Sequence, residues 1–80
     1  MRQIDKLADY LAEDPQANIR KLRHEAGISQ RRLAVEAIPP LAVRTVEYIE
    51  GGHHLKPYFS TLYRISGVLL EYIDIPEHLR

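Results

Sequence analysis

Cysteine is absent from this sequence of 80 residues, which excludes a disulfide framework and any thiolate metal site. The same absence fits a reducing compartment, so a cytoplasmic location is expected. No apolar run approaches the roughly 20 residues needed to cross a bilayer, and no membrane partner is expected. The opening stretch MRQIDKLADYL is amphipathic and carries acids, which is not the pattern of a secretion signal. Net charge is lacking too, because 11 Lys and Arg balance 11 Asp and Glu. A zero sum gives no global attraction to a polyanion. No activated nucleophile, phosphate-cradling glycine loop or pair of carboxylates stands out, so the chain is not expected to be an enzyme and no cofactor is implied.

What is present describes one small globular domain. The hydrophobic fraction of 45% is that of a folded protein. A chain of this length makes a single domain, 1–80, with a modest core that oligomerisation would help to stabilise. The charge is also unevenly spread. Between residues 15 and 35, Arg20, Lys21, Arg23, Arg31 and Arg32 stand against Glu25 alone, while both ends of the chain are acidic. Such a block either forms a phosphate-facing patch or is a solvated helix face.

Periodicity predicts an all-α fold, a compact bundle of about five helices. Ile4, Leu7, Ala8 and Leu11 recur at helical spacing and mark a first helix in residues 1–14. Asp14-Pro15 is an N-cap followed by a residue preset for the first turn, so a second helix runs over 15–26 and buries Ile19, Leu22 and Ala26. Gly27 supplies its left-handed end. Ser29 caps a third helix with Leu33, Ala34 and Ala37 inward, which Pro39-Pro40 must break. A fourth helix is expected over 40–50, with Leu41, Val46 and Ile49 buried and Gly51-Gly52 after it. A fifth is expected over 58–70, with Phe59, Leu62, Ile65 and Leu69 inward and Gly67 weakening its far end. The tail is expected to add a short turn before Pro76.

Three segments stand in order: IRKLRHEAGISQRRLA (19–34), TVEYIEGG (45–52) and KPYFSTLYRISGVL (56–69). Together they resemble the XRE family, the lambda-repressor-like helix-turn-helix domains, over about five-eighths of the chain. The resemblance carries an Ile-x-x-Leu-Arg helix, a Gly-hydrophobic-Ser-Gln step, Leu-Ala, an Ile-Glu-x-Gly helix end and Pro-x-hydrophobic-x-Thr-Leu. It implies a helix-turn-helix in a core of residues 15–70, preceded by an added helix (1–14) and followed by a tail (71–80). It also implies sequence-specific binding of double-stranded DNA and transcriptional regulation, as a repressor.

By that resemblance, Gln30, Arg31 and Arg32 would meet phosphates at the start of the crossing helix. The helix of residues 40–50 would enter the major groove and present Ala42, Val43, Arg44 and Tyr48, together with Glu47. Arg44 is the candidate for a guanine edge, because its fork matches two acceptors. His53 and Lys56 would sit where the family's loop touches the backbone. Adjacent His53-His54 has no partner at ligand spacing, so no metal site is expected. The sequence departs from the family in the longer turn containing Ile38-Pro39-Pro40, in the apolar opening Leu41-Ala42-Val43 of the reader helix, and in Arg32, which stands where a Glu would complete the capping box after Ser29.

DNA binders of this class act as two-fold dimers, and a homodimer is expected. Its contact would use either the first helix, through Ile4, Leu7 and Leu11, or the C-terminal Leu70, Tyr72, Ile73, Ile75 and Leu79. The first helix could equally cover the domain's own core. The alternative reading is a protein–protein module on the same scaffold, an antirepressor or antitoxin-like partner, which the zero net charge and the apolar reader helix favour.

Overall fold

The computed structural model describes all residues 1–80 and contains only helices: α1 (Gln3–Glu13), α2 (Pro15–Ala26), α3 (Gln30–Glu36), α4 (Val43–Glu50), α5 (Phe59–Tyr72) and a closing 3-10 turn, Glu77–Leu79. The starts and stops follow local chemistry. Asp14 accepts the backbone N–H of Ala17 at 3.3 Å, and Pro15 opens α2 without a missing donor. Gly27 closes α2 at φ 69, in the region where a side chain is strained. Ser29 Oγ accepts from Arg32 N at 3.0 Å, so the cap forms without a capping-box Glu.

One apolar cluster draws on all five α-helices: Leu7, Ala8 and Leu11 of α1, Ile19 and Leu22 of α2, Leu33 and Ala34 of α3, Val46 and Ile49 of α4, and Leu62, Ile65, Val68 and Leu69 of α5. Each fully buried Leu, Ile or Val side chain contributes about 1.5–3 kcal/mol against its exposed state. The helix α1 packs along α5 and touches α2, while α4 is held to the body by α2 and α3.

That packing resolves the role of the first helix. Leu7 and Leu11 are 0% exposed within the single chain, and Ile75 is 3% exposed. None of the three is available to a second subunit, so the expected dimer contact through them is corrected. Of the residues expected there, Ile4 and Ile73 are half-buried and Tyr72 is exposed.

Four other expectations change. The helix α4 begins at Val43 rather than residue 40, because Leu41 N donates to Ala34 O at 2.9 Å and ties the chain back over the end of α3. The segment 37–42 is therefore not helical: it bends over 37–39, its end residues Ala37 and Ala42 are extended, and its Ile38–Pro39 peptide is cis. Phe59 is 47% exposed, not buried. It sits at the first turn of α5, beyond the reach of the core, and leans on Tyr63 at 6.4 Å between ring centroids. The helix α5 continues through Gly67 to Tyr72 because α1 supports it on one side. The tail turn follows Pro76 instead of preceding it, and there His78 meets the edge of Tyr10.

Candidate nucleic-acid interface

The helices α3 and α4 meet at a buried carboxylate. Glu50 is the last residue of α4, and its side chain is wholly buried. Arg23 of α2 grips it with two bonds, Nε to Oε2 at 2.7 Å and Nη2 to Oε1 at 2.8 Å. Gln30, at the first turn of α3, donates Nε2 to Oε1 at 3.2 Å. Arg20 adds an ion pair at 3.6 Å from the solvent side. Arg23 also donates Nη1 to Ile28 O at 3.0 Å, which fixes the turn between α2 and α3. Burial pushes the Glu50 carboxyl up, but the hydrogen bonds from Arg23 and Gln30 and the nearby arginine charges outweigh it and hold the group below its ordinary value. The same hydrogen bond raises Arg23 above its ordinary value.

This network positions the outward residues. It anchors the C-terminal end of α4 to α2 and to the start of α3, so the two helices hold one relative angle. Gln30 is consequently half-buried, with one amide donor spent on Glu50. Arg31, beside it, is exposed and has no ion pair. Arg32 is turned away: Nε donates to Glu36 Oε2 at 2.7 Å, and the guanidinium lies over the Tyr72 ring at 5.9 Å. Glu36 in turn accepts from the Tyr72 hydroxyl at 2.6 Å. That bond first, then Arg32, keeps the Glu36 carboxyl below its ordinary value.

On α4, Ala42 is the exposed N-cap residue and Val43 is half-buried against the core. Arg44 and Glu47 are exposed, and Arg44 makes no ion pair. Tyr48 is half out in solvent, with the His53 ring edge-on at 5.9 Å. The backbone N–H groups of His53 and His54 both donate to Tyr48 O, at 2.8 and 3.2 Å, and close the end of α4. Gly52 takes φ 80, and a Cβ on it would press on the Gln16 side chain at 3.2 Å. The loop is thereby folded against the start of α2. Lys56 is exposed beyond it. No group of three or more His, Asp or Glu side chains stands close enough to hold a metal ion.

Sequence reasoning singled out Gln30 but missed its partner. The signal was there: Arg20 and Arg23 lie three apart on α2, and Glu50 follows buried Ile49 just before a glycine. The Arg32–Glu36–Tyr72 contact had only its i,i+4 pair as a signal, since Tyr72 lies far along the chain.

The class that the fold defines is a small all-α bundle, and no helix in it is long and apolar enough to cross a membrane. No family model matches the chain, and no curated protein or solved structure matches it significantly.

Proposed function

We propose that the chain is a sequence-specific, double-stranded DNA-binding transcriptional regulator of the helix-turn-helix kind, a cytoplasmic repressor that works as a homodimer. In this reading α4 is the helix that enters the major groove, and α3 crosses the backbone. The resemblance of residues 19–69 to the XRE family motivates it. The observation that carries it is the Glu50 network. A buried carboxylate joins the end of α4 to Arg23 and Gln30, which holds α3 and α4 at one angle while Arg31 and Arg44 stay exposed and unpaired. A reader helix needs that kind of rigid support, because base contacts tolerate little misplacement. Arg44 is the residue for base readout, and Arg31 and Lys56 are suited to phosphates.

The test is a mobility shift with the DNA upstream of the chain's own gene, at two salt concentrations and with unrelated duplex as competitor. A complex that survives competitor and weakens with salt is expected. Absence of any shift at micromolar protein removes the reading.

A second reading, a protein-binding module on the same scaffold, draws on the loop beside α4. Leu55 and Tyr58 are 71% and 78% exposed there, an apolar surface of little use against phosphates. If the mobility shift fails, a pull-down through this loop is the next experiment.

A further inference from the structure

Arg32 stands where local chemistry favours the opposite charge. It is the third residue of α3, and its backbone N–H is already capped by Ser29. A helix N-terminus is the positive end of the dipole, so a cation in the first turn is unfavourable, whereas a glutamate at this place would complete a capping box. Two partners offset that cost. Glu36, one turn along α3, accepts from Arg32 Nε at 2.7 Å. Tyr72, the last residue of α5, lies under the guanidinium at 5.9 Å and donates its hydroxyl to the other Glu36 oxygen at 2.6 Å. The hydroxyl first, then Arg32, holds the Glu36 carboxyl below its ordinary value, so it is charged at neutral pH and the cluster is closed there.

This cluster is a surface feature. The side chains of Arg32 and Glu36 are 60% and 29% exposed, and with Ser29, Arg31 and Val35 they line an open hollow of about 320 Å³. A side chain held only by surface groups leaves them through its own torsions, with no repacking of the core. Next to it Arg31 is exposed and unpaired. We infer, on the DNA-binding reading above, that Glu36 and Tyr72 form a brake on affinity, holding off a phosphate contact that Arg32 makes once released.

The physical basis is an exchange of anions. A guanidinium neutralised by a carboxylate of its own chain adds neither attraction nor counterion release when DNA approaches. Set free, it adds one phosphate contact at the start of the crossing helix. An exposed ion pair is weak, so the brake is light and its release changes affinity by a few-fold. Tyr72 places one end of the brake on α5, so a shift at the end of that helix alters DNA affinity without moving α4.

Fluorescence anisotropy with the DNA upstream of the chain's own gene, over a range of salt, tests the brake in wild type, E36Q, R32A and the double variant E36Q/R32A. E36Q should bind about three- to fivefold tighter than wild type at low salt, with a salt slope steeper by about 1. R32A should stay near wild type. Removing a carboxylate also raises affinity through long-range charge, and the double variant separates the two effects: E36Q should gain little in the R32A background, because distant exposed charges are screened. Y72F should act in the same direction as E36Q by a smaller factor. Equal gains from E36Q with and without Arg32 overturn the brake. So does an Arg32 Nε–H that, by NMR without DNA, exchanges with water as fast in wild type as in E36Q. If wild type binds and the gains are equal, the brake alone falls; if neither wild type nor E36Q binds, the DNA reading falls and takes the brake with it.

Discussion

Arg23 of α2 and Glu50 of α4, 27 positions apart in the chain, face each other in a fork-to-fork pair with two parallel hydrogen bonds of 2.7 and 2.8 Å. The carboxylate has no access to solvent and the guanidinium very little. Removing one partner strands the other, and that cost exceeds the net worth of the pair itself.

Glu50→Gln is therefore expected to destabilise the domain by about 3 kcal/mol, the lower end of the range for a broken buried pair. A small domain would show this as a fall of about 12 °C or more in Tm by circular dichroism. The double variant R23M/E50L, which removes both charges, should be more stable than either single change. A Glu50→Gln protein that melts within a degree or two of wild type would show that the pair contributes nothing.

Acid should unfold the wild type through the same group. The folded-state pKa of Glu50 is depressed, so its contribution is complete above the ordinary glutamate value and is lost as pH falls through the lower folded one. Stability measured by urea titration should be flat from neutrality to about pH 5 and then decline below about pH 4. Glu36 is depressed in the same sense and adds to the decline. The acid limb should be shallower in Glu50→Gln.

The two neighbouring arginines of α3 should separate in DNA binding. Arg31→Ala is expected to weaken binding equally for all sequences and to reduce the salt slope by about 1. Arg32→Ala should change the slope less, because Glu36 already neutralises that guanidinium. Arg44→Ala should instead cost about 1–3 kcal/mol on the preferred sequence and little on others. A uniform loss would make Arg44 a phosphate contact.

Gly67→Ala should raise the stability of the folded monomer by about 1 kcal/mol, since helix propensity improves and the new methyl meets only Ile4. Thermal melts at low micromolar concentration measure this. A loss of stability would mean that the helix needs glycine at 67 for its own sake.

The helices were legible because their punctuation is local. Asp14-Pro15, Gly27 and Ser29 fix α2 and the start of α3 through contacts within four residues, and the structure places those ends at the predicted positions. The start of α4 was not legible, because the decisive bond runs from Leu41 back to Ala34 and no propensity scale holds it. Phe59 was misplaced for a similar reason: spacing gives a face, but not how far along the helix the core extends. Of the candidate interface, Arg44, Glu47 and Tyr48 lie exposed as the resemblance implied, whereas Val43, expected outward with them, is half-buried against the core because α4 begins there. The inward turn of Gln30 and the seat of Arg32 over Tyr72 depend on partners 20 and 40 positions away, which only the folded chain brings near.

The seat of α1 along α5 decides where this domain can be cut. Residues 15–70 hold every motif of the family resemblance and would be the natural piece to graft onto another protein. That piece would carry Leu62, Ile65 and Leu69 with the cover of Leu7, Ala8 and Leu11 stripped off, an open seam prone to clump. The portable unit begins at the first turn of α1, and a fusion partner belongs ahead of the exposed Met1.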